Sequence, residues 1–160
     1  MQYRTIDSPI GRLLVACDDA ALRFLLFGHG RREVKPEPSW EPDRGLVKEA
    51  ARQLTLYFQG KLREFALQVA PEGTPFQRSV WSQLQRIPYG DTISYGELAR
   101  RLGNPKAVRA VGLANGSNPI SIVIPCHRVI GSNGSLVGYG GGLPVKQALL
   151  ALESGQGRFL

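Results

Sequence analysis

A chain of 160 residues, 42% hydrophobic and 21% charged, has room for one globular core or for two small units that share one. It carries 20 Lys/Arg against 13 Asp/Glu, a net charge of +7, and no apolar run reaches the length that crosses a bilayer, so no membrane is expected as a partner. Two cysteines are too few for a secreted disulfide scaffold and no signal peptide opens the chain, so a reducing, cytoplasmic setting is expected.

In chain order, Met1–Asp7, Arg12–Cys17 and Ala21–Phe27 have the β-branched and aromatic content of three strands. Turn signals at Ser8-Pro9-Ile10-Gly11 and Asp18-Asp19 predict an antiparallel meander. Cys17, in LLVAC, has the setting of a packed core thiol. Cys17 and His29 together offer only two of the four ligands a structural zinc site needs, so no metal is expected. Gly28–Asp43 is rich in Gly, Pro and charge and predicts a loop. Leu46, Val47, Ala50, Leu54, Tyr57 and Phe58 then recur at helical spacing, predicting a helix over Arg44–Gln59 closed by Gly60. Phe65–Val69 has the composition of one more strand, and Pro71-Glu72-Gly73 marks a joint.

Beyond the joint, Thr74-Pro75 caps a helix whose Phe76, Val80, Trp81 and Leu84 share a face, ending near Ile87. Thr92–Gly103 and Pro105–Asn115 predict two short helices, the first capped by Ser94 with Glu97 completing a capping box. Two helices around Gly103-Asn104, the second bearing Lys106 and Arg109, fit a helix-turn-helix or an ordinary helix pair. Ile120, Ile122, Val123 and Ile124 predict a buried strand that stops at Pro125 and presents Cys126-His127-Arg128. A thiol beside two cationic groups is either a nucleophile or a packed structural cysteine; positive neighbours favour the thiolate. In extended backbone His127 would point away from the sulfur, leaving a bridging water as the link. Leu143–Glu153 predicts a final helix with Leu143, Ala148, Leu149 and Leu152 on or near one face. Glu153 at its C-terminus opposes the helix dipole and needs a compensating partner.

The positive charge is segregated. Residues 1–73 hold 11 Lys/Arg and 10 Asp/Glu; residues 74–160 hold 9 and 3. A basic half that also holds the cysteine motif implies a polyanionic partner.

PCHRVIG, with SNPISIVI before it and GYGGG after it, resembles the active-site region of the O6-alkylguanine-DNA alkyltransferases, the methylated-DNA–protein-cysteine methyltransferases. GTPFQRSVW, IPYGDTISYGELA, AVRAVGLANGSNPI and LPVKQALLALE extend the resemblance from about Thr74 to Glu153. Residues 1–73 match the family only in their opening strand–turn–strand pattern. The fold expected is α+β: an N-terminal supporting domain over 1–73, an antiparallel β meander with a helix, and a mostly helical C-terminal domain over 74–160. The second domain would hold the helix-turn-helix and the active-site cysteine.

The resemblance implies irreversible transfer of an alkyl group from O6-alkylguanine in double-stranded DNA to Cys126, with O4-alkylthymine left open as a substrate. It implies a Glu153–His127–water–Cys126 relay and protonation of the guanine ring by Tyr95. Lys106, Arg109, Ala110 and Arg128 are the expected DNA contacts, Arg109 taking the place of the extruded nucleotide. Alternatively, Arg109 is a phosphate contact or a solvated charge. Asn118 would be a hinge, or an Asx turn before Pro119. Tyr139 and Gly140 would close the lesion pocket. No cofactor or metal is needed, and a monomer consumed in one turnover is expected. A thiol hydrolase, a non-catalytic lesion binder and a transcription regulator are the competing readings.

Overall fold

The computed structural model describes residues 1–28 and 34–155. Strands β1 (Gln2–Ser8), β2 (Gly11–Cys17) and β3 (Leu22–Phe27) form the expected antiparallel meander. The register runs from Gln2 opposite Cys17 to Ser8 opposite Gly11, where a two-residue turn reverses the chain. Glycine is needed at position 11 because φ there is 107°. Central β2 is buried on both faces, with Leu13, Val15 and Ala16 fully buried. Leu13 and Val15 enter the main core. Ala16 pairs with Tyr3 and Phe24, and the Trp40 ring stacks near both at 6.5 and 5.2 Å, covering the second face.

The expected loop over Gly28–Asp43 contributes a short edge strand, β4 (Glu41–Pro42), parallel to β1. Proline is tolerated there because an edge leaves one side of the ladder unpaired. The helix expected from Arg44 begins later, as α1 (Lys48–Phe58). Asp43 Oδ1 accepts from the N–H groups of Gly45 and Val47 at 2.8 and 3.0 Å, holding the intervening residues as a turn. The strand expected over Phe65–Val69 shrinks to one bridge, Leu22 with Val69. Its start is held by a side chain instead: the Gln53 amide donates to Ala66 O and accepts from Ala66 N.

Helix α2 (Pro75–Leu84) is closed by the full capping box of Thr74 and Gln77. Trp81 lies on its buried face and donates from Nε1 to Ala114 O at 2.8 Å. A short strand, β5 (Ile93–Ser94), precedes α3 (Tyr95–Arg101) and shortens the helix expected from Thr92. Ser94 caps α3, but Glu97 turns to Arg100 and Arg101 and leaves the capping box half-formed. Pro105 lies in the turn, and α4 (Val108–Gly116) starts three residues beyond it. β5 pairs in parallel with β6 (Val129–Ile130), which ties the entry of the helix pair to the end of the cysteine motif. The final helix, α5 (Leu143–Glu153), has the bounds expected, although Leu143 is 44% exposed while Leu149 and Leu152 are buried.

The largest departure is at Ile120–Ile124. Ile120 makes a single bridge with Leu25, and the chain then turns rather than extends. Val123 N donates to Ser121 O at 2.8 Å around Ile122, whose φ is 71°. This is a γ-turn of the rarer, positive-φ kind on a β-branched residue, a strained conformation. Cys126 N donates to Ile124 O across Pro125, at φ −82° and ψ 67°, an inverse γ-turn. Cys126–Arg128 then form one 3₁₀ turn. Periodicity sees the apolar run but not this path, because the residues are buried whether they extend or turn.

One apolar core joins the two halves, from Leu13 and Tyr57 to Trp81, Cys126 and Leu149. The joint leaves little slack in it. A Cβ added at Gly73 would stand 2.5 Å from Cη2 of the buried Trp81. Gly73→Ala is expected to cost about 1–3 kcal/mol by overpacking, read as a lower urea midpoint.

Candidate active site

Cys126 is held by its backbone from both sides. The Asn118 side chain donates to Ile124 O at 2.8 Å and accepts from Ile120 N at 3.0 Å, so the expected Asx turn and a tie to the cysteine segment coexist. Asn115, at the end of α4, donates to Cys126 O at 3.4 Å. Edge strand β3 braces the same segment: Leu25 N donates to Pro119 O, and Leu25 O accepts from Ser121 N. The thiol is buried, with the residue only 5% exposed. Burial pushes it above its ordinary range, against the opposing pull of Asn118, Lys146 and Tyr139. Cationic neighbours in the sequence predicted the reverse. Burial decides instead, and the cation that opposes it is Lys146, so the resting sulfur is protonated.

Glu153, the last residue of α5, is also buried. His127 Nε2 is 2.8 Å from Glu153 Oε2, the partner that the helix-dipole argument required. Arg128 donates from Nε to Oε1 at 2.7 Å and from Nη2 to Oε2 at 2.9 Å. Tyr57, from α1, donates its hydroxyl to Oε2 at 2.6 Å. Burial alone would raise the carboxyl, but the hydrogen bonds and charges of His127 and Arg128 hold it down at about 2. Glu153 is therefore ionised, and His127 Nε2 must carry the proton that fills their contact. That leaves Nδ1 as the basic nitrogen; it is buried and meets no hydrogen-bond partner among the described residues. Burial pushes His127 below its ordinary value, against the pull of Glu153, so the ring is neutral near pH 7.

Arg128 is a correction to the expected DNA contacts. Only 7% of it is exposed, and its third hydrogen bond goes inward to Ile87 O at 2.7 Å. A guanidinium spent on a carboxylate and a carbonyl has no free face for phosphate. Lys146 is a buried cation that sequence reasoning missed. It is fully buried and donates to Val129 O and Val137 O at 2.7 and 2.9 Å. Its signal was present: Lys146 is three residues before Leu149 and seven before Glu153, on the apolar face of α5. Tyr57 gave no such signal, since an apolar helix face accounts for a buried tyrosine and says nothing about its hydroxyl.

The sulfur opens into a cleft of about 620 Å³, lined by Tyr95, Ser121, Tyr139 and Gly140 among others. That size accommodates a purine with a substituent. Tyr95 is half-buried with burial raising its phenol, and it lies where α3 meets Gly112 of α4. The Tyr139 hydroxyl is buried beside Cys126 and Ser121. Phe24, Leu26 and Phe27 bring β3 into the wall, and the Phe27 ring meets Tyr139 edge-on at 5.5 Å. Outside the cleft, Lys106, Arg109 and Ala110 are exposed, with Leu113 73% exposed one turn beyond Arg109. The small residues of α4 thus divide: Ala114 packs inward while Ala110 faces out.

Beyond the site, the chain matches known proteins along nearly its whole length. Residues 75–155 match the DNA binding domain of 6-O-methylguanine DNA methyltransferase, and residues 1–71 match its ribonuclease-like domain. The chain belongs to this methyltransferase family. A methylated-DNA–protein-cysteine methyltransferase of Methanosarcina acetivorans is 52% identical over 153 residues, covering 96% of this chain and 98% of its own length. The Mycobacterium tuberculosis protein of the same name is 53% identical over 156 residues, covering 96% of this chain and 92% of its own. The crystal structure of Mycobacterium tuberculosis OGT in complex with DNA superposes with a TM-score of 0.91 at 50% identity, covering 99% of this chain and 96% of that one. The α+β fold expected of a methyltransferase of this family is the fold found.

Cys17 lies apart from this centre; burial, with Asp43 and Asp18, pushes its thiol up to about 11. His29, the other candidate ligand near it in sequence, falls outside the described residues. Among the described residues no group of three or more His, Cys, Asp or Glu stands close enough to hold a metal ion.

The Glu153 cluster should make the fold acid-sensitive. The carboxyl is lowered from an ordinary 4.5 to about 2 in the folded protein. A depressed folded-state value stabilises above the unfolded value and is lost as pH falls through the folded one. The stability at stake is on the order of 3 kcal/mol, lost between about 4.5 and about 2. Glu153→Gln should flatten the pH dependence in that window and lower stability at pH 7, because Arg128 would be left buried without its counter-charge. Urea melts across the acid range check both.

Proposed function

We propose that this protein repairs DNA by transferring the alkyl group of an O6-alkylguanine irreversibly to its own Cys126. The observation that carries the reading is Cys126 lining the cleft, with neutral His127, next to it in sequence, hydrogen-bonded to ionised Glu153. The names of its relatives support the same activity. A stacked base cannot bring its O6 substituent to a mounted sulfur, so the lesion is flipped out of the duplex into the cleft. His127 Nδ1 takes the thiol proton through a bridging water, and the thiolate attacks the alkyl carbon in line with the C–O6 bond. The S–C bond forms and the C–O6 electron pair returns to the purine, which Tyr95 protonates. Solvent then returns the proton held by His127 to Tyr95. The thioether has no leaving tendency, and each chain acts once.

In this reading a burial-raised thiol is useful: the resting sulfur resists oxidation and is ionised only by the relay. Asn118 ties the α4 end to the cysteine segment, and Tyr139 with Gly140 closes over the base. Lys106, Arg109 and Ala110 present α4 to DNA. The division at residue 73 separates a supporting unit from a DNA-binding and transfer unit. The protein works as a cytoplasmic monomer on alkylated duplexes.

Incubation with a duplex containing one O6-methylguanine, followed by intact-mass measurement, tests the assignment. A gain of one methylene on one residue is expected, mapping to Cys126 and absent in Cys126→Ser. A gain that maps to Cys17 overturns it.

Arg109 is expected to fill the gap left by the flipped base. Unstacking costs a few kcal/mol, and an inserted side chain offsets that only where a stack exists. Arg109→Ala should slow repair of a paired lesion while leaving transfer from the free alkylated base near normal. Equal weakening on all duplexes, with a salt slope lower by about one unit, would make Arg109 a phosphate contact.

A further inference from the structure

A hydroxyl of the N-terminal half is hydrogen-bonded to the carboxylate that ends α5. Tyr57 is fully buried, and its ring is fixed against Phe58, Phe65 and Tyr89, with centroids 5.3–6.3 Å away. Its hydroxyl reaches across 96 positions of sequence to donate to Glu153 Oε2 at 2.6 Å. That oxygen also receives His127 Nε2 at 2.8 Å and Arg128 Nη2 at 2.9 Å, while Oε1, among the described residues, receives only Arg128 Nε. An oxygen with two lone pairs cannot satisfy three donors equally. Tyr57 and His127 therefore compete for charge on one atom.

We propose that Tyr57 is a positioning residue for alkyl transfer, its hydroxyl limiting the negative charge that Glu153 Oε2 offers to His127. The proposal rests on the function assigned above and gives the N-terminal half a part in it. Tyr57 is a permanent donor, because burial and the nearby Glu153 charge push its phenol well above the ordinary value. The groups around the cluster fix the direction of the effect. Glu153 holds the His127 imidazolium; Arg128 and Lys146 oppose it. Tyr89 and Tyr139 also face the carboxylate and are likewise pushed up, so neither titrates near pH 7. Only the donation by Tyr57 can be removed without altering charge. With the donation removed, Oε2 carries more charge, His127 holds its proton to higher pH, and fewer molecules have a base ready for the thiol.

The test uses Tyr57→Phe, and Tyr57 replaced by 3-fluorotyrosine, a stronger donor of nearly the same shape. Two readouts are taken on the full chain: single-turnover methyl transfer from an O6-methylguanine duplex against pH, and the ring NMR titration of His127. The chain has two histidines, and His29→Gln assigns the signals. In Tyr57→Phe the His127 midpoint and the acid limb of the rate profile should both rise, by up to about one pH unit. Below that limb transfer should fall by the matching factor, up to about tenfold. Fluorotyrosine should move both midpoints down. Midpoints that stay at the wild-type values, whatever happens to melting temperature or overall rate, overturn the proposal and leave Tyr57 a packing residue. If Tyr57→Phe fails to fold, an unmoved midpoint in the fluorotyrosine protein overturns it alone. Failure of the wild-type protein to accept any methyl group overturns the functional assignment instead, and the His127 titration still reports on the hydrogen bond.

Discussion

A carboxylate removed from water must find its partners inside the protein, and Glu153 finds them in separate parts of the chain. Tyr57 comes from α1, His127 and Arg128 come from the turn after Pro125, and Glu153 itself ends α5. Left unpaired, the charge would cost several kcal/mol. The three segments therefore cannot drift apart without exposing an uncompensated ion. The same condition fixes the imidazole tautomer and points its free nitrogen away from the carboxylate. In the proposed mechanism, stability and chemistry depend on this one cluster.

The backbone around the cysteine meets a second constraint. Two successive γ-turns and a 3₁₀ turn carry the chain from Ile120 to Arg128, with Ile122 in a conformation that a β-branched residue disfavours. The cost is borne because Ile122 is 1% exposed and both neighbouring segments are hydrogen-bonded, to Leu25 on one side and Asn118 on the other. Strain of this kind persists only where surrounding contacts over-determine it. Strand β3 is one of those contacts, so the N-terminal sheet helps to shape the mount of Cys126 as well as the cleft wall.

The positive charge of the C-terminal half does two different jobs. Arg128 and Lys146 are buried and act on Glu153, on backbone carbonyls and on the field at Cys126. Lys106 and Arg109 are exposed on and beside α4. A count of Lys and Arg over residues 74–160 overstates the surface available to a polyanion, because it includes cations enclosed in the core. The basic face is correspondingly local, centred on the helix pair.

Sequence alone determined much of this protein, for identifiable reasons. The meander was legible because alternation and turn residues are local properties of a few positions. The capped start of α2 and the bounds of α5 were legible on the same ground. The Cys-His-Arg triplet and the need of Glu153 for a partner were visible because reactive groups and a carboxylate at a helix end are chemically conspicuous. What only the tertiary structure decided depends on segments distant in sequence. The path of Ile120–Ile124 is set by hydrogen bonds to Leu25 and Asn118, and an apolar run is equally buried as strand or as turn. Whether the thiol is charged depends on burial, opposed by Lys146 of α5 and not by the cations beside it in the sequence. Arg128 turned inward because the Glu153 charge lay there, 25 residues on, and Tyr57 reached the same carboxylate from 96 residues before it. Periodicity places a residue on a face, but a hydrogen bond between distant elements exists only once the core has brought them together.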